Sequence, residues 1–157
     1  MNKEEQIMAA FGHLYNKYVW LNSLKMKNRL EGYKPSEVHC IEYIGKNADS
    51  NVTKLAEAFY MTLGAISKLT KKLIAKELIE NYQKPGNKKE IYFRLTEQGK
   101  VIYRTHESLH REFRERDKAV FEQTTKEQFD GVVSFLERYS DHLDAEAKKS
   151  GADIEAK

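Results

Sequence analysis

Only 8 glycines and 2 prolines interrupt this chain of 157 residues. A β-sandwich or barrel needs turn residues every roughly 8 to 12 positions, and this sequence does not hold enough of them. Long stretches are therefore free to be helical, and the expected class is mainly α. The length is that of one ordinary domain, and 40% hydrophobic residues are enough to build its core. No window approaches the roughly 18 consecutive apolar residues of a membrane span. The start, Met1-Asn2-Lys3-Glu4-Glu5-Gln6, places acids where a secretory signal would place a basic and then an apolar run. The expectation is a cytoplasmic protein with no membrane partner. The lone Cys40 excludes an intrachain disulfide framework and a Cys-rich structural zinc site. A metal site would have to come from the 5 histidines and the carboxylates.

Apolar periodicity lays out six helices and one hairpin. Ile7, Phe11, Leu14, Tyr15, Tyr18, Leu21 and Met26 recur at helical spacing from about Glu4 to Leu30, and Gly32 follows as a stop. Pro35 suits the first position of a second helix with Val38, Ile41 and Ile44 on one stripe, ended by Gly45 near Asn47. Asp49, Ser50 and Asn51 offer caps for a short third helix. Thr62 caps a fourth, on which Ile66, Leu69, Leu73 and Ile74 point one way and Lys68, Lys71, Lys72 and Lys76 the other. The period then becomes alternating. Glu80–Lys84, a Pro85-Gly86-Asn87 turn and Ile91–Leu95 read as a hairpin with Lys88 and Lys89 at its tip. Thr96 caps a long fifth helix. Thr124 with Glu127 has capping-box spacing before a sixth, which carries Phe129, Val132, Val133, Leu136, Tyr139 and Leu143.

Charge is unevenly placed along this layout. The formal net charge is +3, too small by itself to announce a nucleic-acid binder. Between Val52 and Leu95, however, nine basic residues face four acidic ones, a local excess of five that leaves the rest of the chain at minus two. A basic middle between slightly acidic helical arms suits a DNA-reading module carried on a dimerisation frame; a solvated lysine-rich helix is the plain alternative.

A short helix, a basic helix and a basic hairpin in that order make a winged helix-turn-helix. A helix fits the major groove of B-DNA, the preceding helix braces it, and the hairpin tip reaches a minor groove or phosphates. The order and local motifs resemble the MarR family of transcriptional regulators. The matching segments are Ser36-Glu37-Val38-His39, Val52-Thr53-Lys54-Leu55-Ala56-Glu57, Thr62 to Leu73, and Leu95-Thr96-Glu97-Gln98-Gly99. The resemblance spans nearly the whole chain and implies a single domain over 1–157. Residues 1–33 and 97–148 would be dimerisation helices, 34–96 the DNA-binding region and 149–157 a frayed tail. Two departures stand out. Asn87-Lys88-Lys89 replaces the Asp-x-Arg usual in the family's wing, and lysine lacks the bidentate fork of arginine. Phe59-Tyr60-Met61 occupies a turn where the family often has Gly or Asn, so a different turn geometry is expected there.

Within the reader, Gly64, Ala65, Ser67 and Lys68 are the expected base-edge residues, because small side chains near the helix start let the backbone approach the groove. Thr62, Lys71 and Lys72 are expected on phosphates, with Lys88 and Lys89 on the wing. The alternative for Gly64 and Ala65 is close packing within the protein.

The histidines carry a second reading. His106-Glu107-Ser108-Leu109-His110 has the His-Glu-x-x-His spelling of zinc metalloproteases, which also need a third ligand and an open cleft. The resemblance instead implies a regulatory zinc, since His39, His106 and His110 match ligand positions of the family's zinc-sensing branch. That branch adds a first-helix carboxylate, for which Glu31 is only a distant candidate. The plain reading is a hydrogen-bonded His39 and an unremarkable helical pair. Cys40 has no basic neighbour to activate it, so a buried, inert thiol is expected rather than an oxidant sensor. Tyr15, Tyr18, Trp20, Tyr43 and Tyr103 would line a small-molecule cleft or, more simply, fill core.

The combined expectation is a homodimeric DNA-binding regulator, a repressor on a pseudo-palindromic double-stranded operator, controlled by a small-molecule or metal effector. It would need no cofactor and have no catalytic activity. The alternatives are a zinc-responsive regulator of the same fold, a metal-dependent hydrolase using His106, Glu107 and His110, and a helical interaction module without DNA activity.

Overall fold

The computed structural model describes residues 1–150; of the expected tail at 149–157, Lys149 ends the last helix, Ser150 caps it and the rest lies outside the described residues. The elements run α1 (Lys3–Arg29), α2 (Pro35–Lys46), α3 (Val52–Phe59), α4 (Leu63–Ala75), β1 (Ile79–Lys84), β2 (Asn87–Leu95), α5 (Glu97–Glu122) and α6 (Lys126–Lys149). This is the mainly helical winged architecture read from the sequence. No helix among the described residues is long and apolar enough to cross a membrane.

Local capping chemistry starts most of these helices where the sequence placed them. Pro35 opens α2. The Asn51 side chain accepts from the Lys54 N–H at 2.8 Å, the Thr62 hydroxyl from Ala65 at 3.1 Å and the Thr96 hydroxyl from Gly99 at 3.0 Å, each satisfying a donor that the first turn leaves free. Two boundaries move. The capping box of α6 is Thr125 with Gln128, because Thr124, just past the end of α5, gives its hydroxyl back to the Val120 carbonyl at 2.8 Å. Gly45 does not end α2 but lies inside it, where a Cβ would overlap the Tyr103 ring.

The hairpin also differs in detail. Its turn is Pro85-Gly86 alone, with Gly86 at φ +79°, and Asn87 already belongs to β2. The register passes from Tyr82↔Tyr92 to Lys84↔Asn87 through a bulge. The α3–α4 turn passes through Tyr60 at the end of α3. Tyr60 itself adopts the left-handed conformation, φ +53°, that Gly or Asn commonly takes after a helix.

One core joins the reader to α5. Val38, Cys40, Ile41 and Ile44 of α2, Leu55 of α3, Ile66 and Leu73 of α4, Ile79 and Phe93 of the hairpin, and Ile102, Leu109 and Phe113 of α5 are all buried. Cys40 is fully enclosed, and burial pushes its thiol up to about 12, so it is the inert residue expected. The helices beyond this core behave differently. Phe11, Leu14, Tyr15 and Trp20 of α1, Val120 and Phe121 of α5, and Val132, Val133 and Leu136 of α6 are exposed in the single chain, and α6 buries no residue at all.

Candidate nucleic-acid interface

The recognition helix begins at Thr62 and presents two chemically opposite faces. Ile66, Thr70 and Leu73 are buried, whereas Gly64, Lys68, Lys71 and Lys72 are exposed and Ala65 and Ser67 half-buried. Thr70 turns its hydroxyl back to the Ile66 and Ser67 carbonyls at 3.0 and 3.1 Å. A Cβ on Gly64 would meet nothing within 4 Å, so that glycine does not serve internal packing and its backbone is open to a groove. Thr62 spends its oxygen lone pair on the cap, which leaves its O–H free to donate outward. No acid stands in the first turn of α4, so its positive end is not neutralised locally. Lys34 lies beside Lys72, and its charge pulls the Lys72 ammonium below the ordinary lysine value. Two cations held together in this way concentrate positive potential at the carboxyl end of the helix.

A buried carboxylate fixes this end of the helix. Glu37 of α2 accepts from the Lys34 N–H at 2.9 Å and pairs with Lys76 at 2.7 Å. Burial pushes the Glu37 carboxyl up, but the Lys76 bond, the Lys34 amide and the charges of Lys76 and Lys72 together hold it below its usual range. Nothing local in the sequence marks Glu37 for this role, because its partner Lys76 lies 39 residues away.

The wing stands beside the helix. Lys88 and Lys89 are exposed at the start of β2, and Asn87 Oδ1 accepts from the Lys89 and Glu90 amides at 3.1 and 3.2 Å. The Asn87-Lys88-Lys89 segment thus builds its own turn while leaving both ammonium groups to solvent. Behind the wing, α2, β2 and the first turns of α5 enclose an open groove of about 670 Å³ lined by Phe93, Leu95, Tyr103, Arg94, Lys100 and Arg104 among others. The five expected aromatics do not form one cleft. Tyr15, Tyr18 and Trp20 are exposed on α1, Tyr43 packs edge-on against Phe59, and only Tyr103 reaches the groove.

The histidines come together in a rearranged set. Donor atoms of Glu42, His106 and His110 lie within 4.8 Å of one another. His39 is exposed, its ring centroid 6.1 Å from that of His106 and outside the group. Neither Glu31 nor any α1 carboxylate belongs to it. His106 is 1% exposed, and burial pushes its imidazole down to about 4 against the pull of Glu42, so it is neutral near pH 7. Its Nε2 lies 3.0 Å from that of His110. Its Nδ1 faces Glu42 Oε2 at 2.7 Å and makes no hydrogen bond to any other group. Glu107, the would-be catalytic base of the protease spelling, instead pairs with Lys46 at 3.3 Å. His106 is itself buried, whereas a hydrolase presents its metal ligands to an open cleft. Glu42 could have been found from the sequence only as a carboxylate one turn beyond His39; nothing local singled it out.

Residues 34–91 match the family model described as the MarR family. The chain is also 32% identical over 111 residues to the HTH-type transcriptional regulator PchR of Bacillus subtilis (strain 168), covering 71% of this chain and 66% of that protein. The chain belongs to the MarR family. It spans about two thirds of the length of the curated relatives that it matches, 66% for PchR. MarR-family architecture extends to solved structures. Streptococcus pneumoniae FabT in complex with DNA superposes with a TM-score of 0.78 at 19% identity, over 91% of this chain and 99% of FabT. Staphylococcus aureus MarR in complex with salicylate and kanamycin gives a TM-score of 0.71 at 17% identity, over 92% and 94%. At these identities the structures establish the shared MarR fold, with the long helices as well as the reader.

Proposed function

We propose that this chain is a sequence-specific DNA-binding transcriptional regulator of the cytoplasm that acts as a homodimer, without catalytic activity. The observation that carries the reading is the outward face of α4, where the open backbone at Gly64 and the exposed Lys68, Lys71 and Lys72 stand beside a wing tipped by Lys88 and Lys89. Such a face suits a major groove flanked by phosphates. The DNA complex of FabT, which shares the fold, supports the same use. The apolar side chains left exposed on α1, the end of α5 and α6 form more uncovered surface than monomers carry, and a second copy is the cover this reading supplies. Two readers on a two-fold frame call for a pseudo-palindromic operator. Repression by blocking polymerase is the simplest outcome, relieved when a small effector occupies the groove behind the wing.

Titration of a duplex selected by the protein from a random-sequence pool tests this. Lys71→Ala and Lys72→Ala should weaken binding to all sequences alike and flatten the salt dependence by about one log-log unit per contact. Ser67→Ala and Lys68→Ala should change the ranking of operator variants. Binding that ignores salt and all four substitutions would defeat the reading.

One observation favours a metal-responsive version of this function. The Nδ1 of the buried His106 faces the Glu42 carboxylate at 2.7 Å, with His110 alongside. Two imidazoles and a carboxylate are a donor set suited to zinc. Glu42 from α2 and His106 and His110 from α5 would hold the ion, which would supply a cross-link between reader and frame and so bias the angle between them. Zinc added to the chelator-treated protein should then bind stoichiometrically and change operator affinity, and Glu42→Gln and His110→Ala should abolish both effects. Stoichiometric zinc with no change in operator affinity would leave a structural site only.

A further inference from the structure

Lys88 and Lys89 are exposed near the tip of the wing, and the root of the wing is held by the loop between α2 and α3. Two consecutive residues of that loop grip the two strands. Ser50 accepts from the Phe93 N–H of β2 at 2.8 Å, a single bridge that makes the loop a partial third strand. Asp49 grips β1 with its side chain. Its Oδ1 accepts from the Tyr82 hydroxyl at 2.6 Å and its Oδ2 pairs with Lys84 at 2.8 Å. Its own carbonyl accepts from Lys54 of α3 at 3.0 Å. Asp49 is the only acceptor through which α3, the loop and the wing are joined in this way among the described residues.

The groups facing Asp49 are ordered into a short stack. Lys84 lies over the Tyr92 ring at 4.9 Å, Tyr92 tilts against Tyr82 at 5.6 Å, and Arg94 covers Tyr82 at 5.1 Å. Asp49 ties down two members of that stack at once. Its backbone is left-handed, with φ +58°, a conformation that glycine takes at no steric cost. A carboxylate in a position that suits glycine is retained here with every oxygen in use.

We propose that Asp49 is a positioning residue for DNA binding: by clamping Tyr82 and Lys84 of the wing to the loop before α3, it sets the angle at which Lys88 and Lys89 are presented to the duplex. This rests on the reading of the wing as a DNA-contacting element. Lys84, held by Asp49 and seated on Tyr92, is a clamp residue and not a DNA contact, in contrast to its neighbours at the tip.

The sign of the effect separates positioning from plain electrostatics. Removing an acid anywhere near a DNA-binding wing removes long-range repulsion and should strengthen binding. Loss of the clamp should weaken it. The experiment measures affinity of the full chain for the selected duplex in four forms: unaltered, Asp49→Asn, Lys88→Ala/Lys89→Ala, and all three substitutions together. Asp49→Asn should weaken binding about tenfold, the size expected from losing a charge-assisted hydrogen bond, and should add nothing once the tip lysines are gone. Amide hydrogen exchange of the wing should quicken in Asp49→Asn while that of α2 and α5 stays the same, which also shows that the variant is folded. Tighter or unchanged binding by Asp49→Asn, or an equal loss with and without the tip lysines, overturns the proposal. If the lysine pair alone has no effect, the wing reading itself falls and takes this assignment with it.

Discussion

The Lys76 ammonium lies 2.7 Å from Oε2 of Glu37, whose side chain is 1% exposed against 34% for its partner. The pair is asymmetric, and its two halves should respond differently to mutation. Lys76→Met leaves a buried carboxylate with one fewer counter-charge and should cost about 3 kcal/mol. Glu37→Gln lets the half-exposed Lys76 return to water and keeps an acceptor for the Lys34 amide, so about 1 kcal/mol is expected. The pH dependence follows from the depressed Glu37 carboxyl. A carboxyl held below its unfolded value of about 4.3 stabilises fully above that pH and loses its contribution as pH falls further. Chemical denaturation between pH 7 and pH 3 should show a drop that begins below about pH 4.3 and is shallower in Glu37→Gln. Equal slopes in the two proteins would remove Glu37 from this role.

Gly45 of α2 packs so closely on Tyr103 of α5 that a Cβ on Gly45 would lie only 2.5 Å from a ring carbon. Gly45→Ala should therefore destabilise by about 1 to 3 kcal/mol, despite the better helix propensity of alanine. Pairing it with Tyr103→Leu should recover part of the loss, because the smaller side chain leaves room for the methyl. A thermal scan of both variants decides the matter, and a stabilised Gly45→Ala would refute the close fit.

Thr62 has a structural duty separate from any contact with phosphate. Its hydroxyl caps α4 through the Ala65 N–H, so Thr62→Ala should cost about 1 kcal/mol while Thr62→Ser should cost only a few tenths. If Thr62→Ala were as stable as the unaltered protein, the cap would not be contributing.

Exposed Val133 and Leu136 on α6, 50% and 47% exposed in the single chain, are the positions at which an introduced charge should be most damaging to the proposed homodimer. Val133→Asp with Leu136→Asp should turn a dimer into a monomer by light scattering at micromolar concentration, and should weaken DNA binding through loss of the second reader. An unaltered chain that is already monomeric would refute the dimer directly.

What could be read in advance followed from signals that are local in the chain. Asn51, Thr62 and Thr96 cap helices because their side chains bond to amides three residues on, and such spacing is visible without a fold. Glu37, Glu42 and Asp49 were not legible as functional residues. Each acquires its role from a partner 33 or more residues away, as in Tyr82 for Asp49, Lys76 for Glu37 and His106 for Glu42. Tyr60 shows the limit of composition rules. Its backbone is left-handed although it is neither Gly nor Asn, and its hydroxyl donates to Asp144 Oδ1 at 3.3 Å, a contact no local pattern foretells. The one-residue shift from Thr124 to Thr125 has a similar origin, because both are capable caps and the end of α5 decides between them.

Gly99 of α5 passes so close to Leu78 that a Cβ there would run into the Leu78 carbonyl oxygen, which leaves the reader resting on α5 at this point with no side chain between them. The consequence is mechanical. A soft joint would absorb torque, whereas bare backbone transmits it. The 26 residues of α5 make a rod of about 39 Å. Pivoting that rod by about 5° at its distant end would carry the reader roughly 3.4 Å, the axial step from one base to the next.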